Sequence, residues 1–549
     1  MAALRKGGAL TGDDRSQLVQ QLRGDGLRRP NSSCHANYCA KAKDPLSRAE
    51  RRTSSIVAAG MDRSLLTRDD LALRPGRGQR NPWLRDALAA EGNPPPARPL
   101  SGDLDCDVAI IGGGYTGLWT AFQLTERAPN LRVVILEQDI CGGGPSGRNG
   151  GFVNAWWDEL DGLVDLFGEA AALEAAQAVS ASVREIGAWC RQQRVSAHYR
   201  RSGMLTVSTT PLHDRAMDAA LATAARLGVP REYAARRVEQ IRARCASPRF
   251  RNGALMREAA TVQPALLARG LRRVVLSRGV AIHEGSTVTR LRLDGKLVRL
   301  LVDSDEGLDE VSAGHVVLAI NAWAAGWGPF RQSLLAWGSY MVRSEPIPDR
   351  LKELGWTGGE SIVDARASVH YLRVTRDGRI AIGAGGGRPG YGGQIGPIFT
   401  DDVGCARRAA FAFRWLFPQL ADVRLTDAWG GPIDISADHL PRFGTLRGGR
   451  IHFGLGYSGN GVAPSHLGGK ILAALALESD EPLTRLAVVG PPSRRLPPEP
   501  FRYVGARVMR AAMVAREDRE EAGRRAPWWL RELTRIPRRL GYHLGPGAE

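Results

Sequence analysis

Asp107-Val108-Ala109-Ile110-Ile111-Gly112-Gly113-Gly114-Tyr115-Thr116-Gly117 is the stretch that decides the fold. The first five residues form a short apolar run rich in β-branched side chains, which reads as a buried strand. Three glycines follow at once, and an apolar pattern of helical spacing continues from Leu118 to Leu124. A second strand, Val133-Val134-Ile135-Leu136, ends on Glu137 and Gln138, so strand, tight turn, helix and strand make one βαβ unit with an acid at its far end. In Gly112-x-Gly114-x-x-Gly117 the first glycine permits the sharp turn and the second lets backbone approach a diphosphate. The third lets the helix pack on the sheet. The helix N-terminus favours the phosphate charge, and Glu137 is placed to accept from ribose hydroxyls. A carboxylate there repels the 2′-phosphate of NADP, which leaves FAD and NAD as the dinucleotides this unit predicts.

Composition limits the rest. The 549-residue chain exceeds what one hydrophobic core organises, so two joined domains with appended tails are expected. Its formal charge of +18 lies in the tails: residues 1–80 hold 16 Lys and Arg against 8 Asp and Glu, residues 491–549 hold 13 against 7, and residues 81–490 hold 46 against 42. A basic enzyme body is therefore excluded. Seven cysteines, Cys34, Cys39, Cys106, Cys141, Cys190, Cys245 and Cys405, have no CxxC spacing and read as reduced thiols. No run approaches the ~20 apolar residues of a membrane span and the first residues lack the apolar block of a secretory signal, so a cytoplasmic protein is expected. No metal site is expected. Ser458 and Ser146 fail the Gly-x-Ser-x-Gly pattern of a hydrolase nucleophile, since Asn460 and Arg148 stand where its second glycine belongs.

Further along the chain, four ordered motifs resemble the D-amino-acid-oxidase-like FAD-dependent oxidoreductases, most of all the branch holding gamma-glutamylputrescine oxidoreductases and glycine and sarcosine oxidases. The glycine-rich unit above is the first. The second is Cys141-Gly142-Gly143-Gly144-Pro145-Ser146-Gly147-Arg148-Asn149-Gly150-Gly151, similar to the family's loop along the flavin diphosphate and ring. The strand His315-Val316-Val317-Leu318-Ala319-Ile320 with Asn321-Ala322-Trp323 resembles the return to the dinucleotide domain. Gly456-Tyr457-Ser458-Gly459-Asn460-Gly461-Val462-Ala463, after Trp429-Gly430-Gly431 and Leu440-Pro441-Arg442-Phe443-Gly444, resembles the loop that closes over the ring. The likeness spans residues 83–530.

The resemblance implies an α/β protein: a Rossmann-like, glutathione-reductase-type FAD-binding domain with an inserted α+β mixed-sheet substrate domain. The expected division is a disordered basic extension at 1–80, a linker at 81–104 around Asn93-Pro94-Pro95-Pro96, FAD-binding segments at 105–165, 245–330 and 425–485, substrate-domain segments at 166–244 and 331–424, and a basic tail with a helix at 486–549. FAD contacts are implied for Gly112, Gly113, Gly114, Tyr115, Thr116, Gly117, Glu137, Gln138, Ser146, Gly147, Arg148, Asn149, Gly150, Gly151, Val288, Asn321, Ala322, Trp323, Gly430, Gly456, Tyr457, Ser458, Gly459, Asn460, Gly461 and Val462.

The implied activity is oxidation of a C–N bond in a small amine or amino acid by hydride transfer to flavin N5. The pocket candidates are Trp337, His370, Tyr371 and Tyr457, then Tyr340, Trp429, His439 and Asn460. Ala365 to Gly383 holds no cysteine, which implies non-covalent FAD. The body holds Lys296, Lys352 and Lys470 as its lysines, so oxygen and another carrier both stand as electron acceptor. The C-terminal Arg and Trp pattern allows a peripheral membrane contact. Two other readings stay open: a tRNA-modification-like flavoprotein whose tails grip RNA, and an NAD-linked dehydrogenase.

Overall fold

Apolar runs without alternation form the parallel centre of the first sheet, because parallel strands are covered on both faces. The computed structural model describes the backbone of Leu27–Arg28 and residues 65–75, 80–491 and 495–542. In chain order the strands are β1 Leu27–Arg28, β2 Leu104–Ile111, β3 Val133–Leu136, β4 Phe152–Asn154, β5 Met204–Val207, β6 Tyr233–Arg236, β7 Gly253–Met256, β8 Ala259–Thr261, β9 Ala281–His283, β10 Thr287–Asp294, β11 Leu297–Ser304, β12 Gly307–Leu318, β13 Leu334–Ser344, β14 Ser361–Asp364, β15 His370–Val374, β16 Ile380–Ala384, β17 Leu425–Ser436, β18 Arg442–Thr445 and β19 Ile451–Leu455. The first sheet runs β1-β10-β11-β12-β2-β3-β9, with β19 parallel to β12 and β18 beside β19. Its parallel centre sets Val108 against Val133 and His315 against Val108.

On that centre lies the helix Tyr115–Arg127. It packs on the helix Val462–Ala476 through Trp119, whose ring meets Trp189 at 4.8 Å and His466 at 4.6 Å. A Cβ on Gly469 would stand 2.5 Å from the Trp119 Cβ, so that glycine sets the approach of the two helices. The second sheet runs β17-β13-β16-β15-β14-β5-β7-β6, antiparallel except where β14 joins β5. Strand periodicity places the site: along β13, Leu335, Trp337, Ser339 and Met341 face the central cavity, while Leu334, Ala336, Tyr340 and Val342 pack into the cores.

The α/β class and the inserted mixed sheet stand as expected. Several boundaries do not. β7 and β17 belong to the substrate-side sheet, and the helix Glu169–Gln192 packs on the dinucleotide side through Trp189, because sheet pairing overrides chain order. The expected linker contains the helix Pro82–Ala90, capped by Asn81, with Trp83 buried at 5.4 Å from Trp429. The expected disordered extension falls largely outside the described residues, but Thr67 caps a short helix there and Asp70 is buried in an ion pair with Arg414. The tail holds the expected helix and a second one: Phe501–Glu521 and Trp528–Arg539 pack together and on the body, and buried Arg366 pairs with Glu517 and Glu521. No helix among the described residues is long and apolar enough to cross a membrane.

Candidate active site

A cavity of about 830 Å³ runs from the turn after β2 to the face of β13 and on to the C-terminal helices. At its first end the wall is backbone. Gly112 has φ +106°, and a Cβ there would lie 2.5 Å from the carbonyl oxygen of Ala319. A Cβ on Gly117 would lie 2.0 Å from the carbonyl oxygen of Gly112, so helix and turn touch directly. Gly114 opens on the cavity, and the Tyr115 N–H donates to Ser146 Oγ at 2.8 Å, which joins the loop after β3 to the helix N-terminus. Glu137 accepts from the N–H of Gly113 at 2.7 Å and of Asp139 at 2.9 Å, and burial lifts its carboxyl to about 7.

The loop Cys141 to Gly151 is pinned across the cavity by Arg148, whose guanidinium donates to the carbonyls of Gly143 and Gly430, and by Trp429 Nε1 donating to the Arg148 carbonyl at 2.9 Å. The closing loop is held by Asp434, fully buried at the turn-side end of β17. Asp434 accepts from the N–H groups of Gly456 at 2.6 Å and Tyr457 at 3.1 Å and from Asn321 Nδ2 at 2.9 Å; burial still pushes its carboxyl to about 7. The reading of the sequence missed Asp434. An aspartate inside the apolar strand Ala428-Trp429-Gly430-Gly431-Pro432-Ile433-Asp434-Ile435 was the available signal, since such a group is kept only when it is bonded. Tyr457 reaches the first end itself, its hydroxyl 2.7 Å from Thr116 Oγ1. The turn and the closing loop therefore bound one space.

At the other end Trp337, Tyr371, Phe152 and Met341 face inward. The Tyr371 ring lies edge-on to Phe152 at 5.9 Å, and its hydroxyl bonds Ser339 Oγ at 2.7 Å; burial raises it to about 12. His370 is a correction: it does not line the cavity. Successive strand residues face opposite ways, so β15 offers Tyr371 inward and turns His370 to the helix Val403–Leu416, where it pairs with Asp364 and lies 6.5 Å from Trp415. Its burial beside Arg366 keeps the imidazole below its ordinary pKa. Tyr340 and Trp429 are core residues, whereas His439, Asn460 and Tyr457 line the wall.

Of the residues expected to contact cofactor, Gly112, Gly114, Tyr115, Thr116, Glu137 and Gln138 line the first end. Ser146, Arg148, Asn149 and Gly150 line the loop, Val288, Asn321 and Trp323 the sheet edge, and Tyr457 to Val462 the closing loop. Gly113, Gly117, Gly147, Gly151, Ala322, Gly430 and Gly456 lie behind the wall, where most serve close backbone packing. The five described cysteines are free and buried, and none of them lines the cavity. Lys296, Lys352 and Lys470 do not line it either.

The dimensions and donors suit a flavin dinucleotide. Added Cβ atoms would fill the turn, and buried Asn321 Oδ1 has no partner. Comparison with known proteins agrees. The gamma-glutamylputrescine oxidoreductase of Escherichia coli (strain K12) is 28% identical over 431 residues, covering 76% of this chain and 92% of that one. The L-proline dehydrogenase structure from P. horikoshii superposes with a TM-score of 0.56 at 18% identity, over 71% of this chain and 96% of that one. The glycine oxidase structure from Geobacillus kaustophilus gives 0.55 at 21% identity, over 69% and 96%. Residues 107–475 match the family model described as "DAO: FAD dependent oxidoreductase", and the chain accordingly belongs to the DAO family of FAD-dependent oxidoreductases.

Proposed function

We propose that this flavoenzyme oxidises the C–N bond of a small amine or amino acid to an imine, which water then hydrolyses. The observation that carries the reading is the continuity of one cavity from Gly114 to the aromatic wall of Trp337 and Tyr371. Bound non-covalently along that cavity, FAD supplies the hydride acceptor at N5.

The chain's residues supply position and field. The amides around Gly114 and the helix that follows would receive the diphosphate charge, and Glu137 would accept from ribose hydroxyls. The loop Gly456 to Gly461, held in place by Asp434, leads into the N-terminus of the helix Val462–Ala476, whose positive end would stabilise negative charge developing on a bound flavin. Trp337, Tyr371 and Phe152 hold the carbon skeleton against the cofactor face and keep water out. Tyr457 forms wall, because its hydroxyl is bonded to Thr116. Oxygen and a separate carrier both remain open as acceptor.

The test is anaerobic addition of amines and amino acids to the purified yellow protein. Bleaching of the flavin band by at least one of them is expected, and readmitted air then reports whether oxygen restores it. A colourless preparation, or a flavin that no amine or amino acid bleaches, contradicts the proposal.

A second reading concerns partners. The C-terminal helix exposes Trp528 and Trp529 alongside Arg535, Arg538 and Arg539, a surface suited to an anionic membrane. Co-sedimentation with vesicles containing anionic lipid, lost in Trp528→Ala/Trp529→Ala, is the expected result. The basic residues nearer the body are engaged within the protein: Arg502 bonds the Leu334 carbonyl and Glu499, and Arg510 the carbonyls of Gly386 and Gly387. Arg502 and Arg510 are therefore not offered to RNA.

A further inference from the structure

Beyond the aromatic wall the cavity meets a group of acceptors that the chemistry above does not use. On β4, Phe152 and Asn154 face the same way, so Asn154 stands two residues, about 7 Å, farther along the strand from the Tyr371 contact. Asp158 and Glu159 follow in the next turn and line the same cavity, with Thr206 of β5 opposite. Asn154 and Thr206 are 7% and 4% exposed; Asn154 Oδ1 and Asp158 Oδ1 are buried without a hydrogen-bond partner, and Thr206 Oγ1 lies beside the Tyr233 hydroxyl. Among the described residues neither Asp158 nor Glu159 makes an ion pair. The titratable groups that face them are Asp161 and Tyr233, neither of which brings positive charge. Burial raises Asp158 to about 7 and Glu159 well above the carboxylate range.

A buried carboxyl oxygen and a buried amide oxygen left unbonded, Asp158 Oδ1 and Asn154 Oδ1, are costly to the free protein. They are retained at low cost where a ligand supplies the missing donors. An ammonium brings three N–H donors and the compensating charge; a neutral alkyl group or a carboxylate brings neither. We propose that Asp158, Glu159, Asn154 and Thr206 form a subsite for a second, cationic nitrogen, so that the substrate is an amine carrying a remote ammonium or guanidinium a few methylenes from the carbon oxidised. This rests on the amine-oxidising reading above and specifies its substrate class.

The test uses the full-length yellow protein with two near-isosteric probes, 1,4-diaminobutane and n-pentylamine, compared by anaerobic bleaching. The diamine is expected to be favoured in kcat/KM by about tenfold or more, mostly through KM, and that preference is expected to fall to about twofold or less in Asp158→Asn/Glu159→Gln. Equal efficiency of the two probes in the wild type, or a preference that survives in the double variant, overturns the proposal.

Should that variant fail to fold, binding to the wild type decides. 1,4-Diguanidinobutane must perturb the visible flavin spectrum at about tenfold lower concentration than n-pentylguanidine, since hydrogen bonds to charged groups are worth that much. Equal concentrations overturn the subsite without turnover being involved. Selective binding with no bleaching by either amine would instead overturn the oxidation reading and leave the subsite standing.

Discussion

The two ends of the cavity are made of different material. Around Gly112 to Gly117 the wall is backbone, closed to the point where a single Cβ would overlap a carbonyl oxygen. At the far end the wall is side chain, with Phe152 and Asn154 from β4, Thr206 from β5, Trp337 from β13 and Tyr371 from β15. A backbone wall recognises what any dinucleotide offers, a diphosphate, and it cannot be retuned without breaking. A side-chain wall can exchange one contact at a time, which is where related enzymes on one fold diverge in substrate. Substitutions at the first end should therefore remove the cofactor, and those at the second should alter turnover while colour is retained.

The largest effect is expected from Gly117→Ala. Its Cβ meets the Gly112 carbonyl oxygen at 2.0 Å, with the Ile110 side chain at 3.0 Å, so a stability loss of about 3 kcal/mol and a colourless preparation are expected, measured by thermal melting and the visible spectrum. Asp434→Ala tests the loop that joins the ends. It leaves the N–H groups of Gly456 and Tyr457 and the Asn321 amide without their acceptor, at about 2–3 kcal/mol, with flavin lost more readily on dilution.

At the far end Tyr371→Ala should keep the yellow colour and lower kcat/KM by up to about a hundredfold in stopped-flow bleaching, because the substrate loses its positioning wall. The smallest effect on turnover belongs to its neighbour. His370→Asn is expected to change kcat/KM by less than about twofold while costing about 2 kcal/mol of stability, since His370 itself is off the cavity wall and bonds Asp364 and Arg366, which line it. A catalytic loss as large as that of Tyr371→Ala would reverse the assignment of strand faces.

Acidity sharpens the same comparison. Burial holds Glu137, Asp434 and Asp158 at about 7 in the flavin-free protein, one at each end and one at the joint. Their folded values lie above the ~4 of the unfolded chain, so folding takes up protons between the two. The stability they contribute is present in full below about pH 4 and is lost as pH rises through about 7. Melting of flavin-free protein should therefore show falling stability across that window, and bound flavin should weaken the dependence at Glu137 and Asp434.

What could be read from residues follows the same division. The first end was legible because its parts are contiguous: glycine spacing, β-branched strand and terminal acid lie between Asp107 and Glu137, and each position has one physical reason. The far end was legible only as a set of candidate aromatics. Which of His370 and Tyr371 turns inward depends on the register of β15 against β16, and pairing is set by contacts distant in the chain. Asp434, Asn154 and Asp158 were missed for a related reason, since a lone polar residue between apolar ones acquires meaning only when its partners, or their absence, are seen. The C-terminal arginines and tryptophans read as a tail because their anchors, Arg366 and the carbonyls after β16, lie more than a hundred residues away.

The central claim is that one cofactor spans both ends. A crystal structure of the yellow protein is its most direct test. The account predicts the diphosphate within hydrogen-bonding reach of the amides at Gly114 to Thr116 and the flavin ring between the Ser458 to Gly461 loop and the Tyr371 wall. A diphosphate bound elsewhere, or a ring turned out of the cavity away from Trp337 and Tyr371, would contradict it.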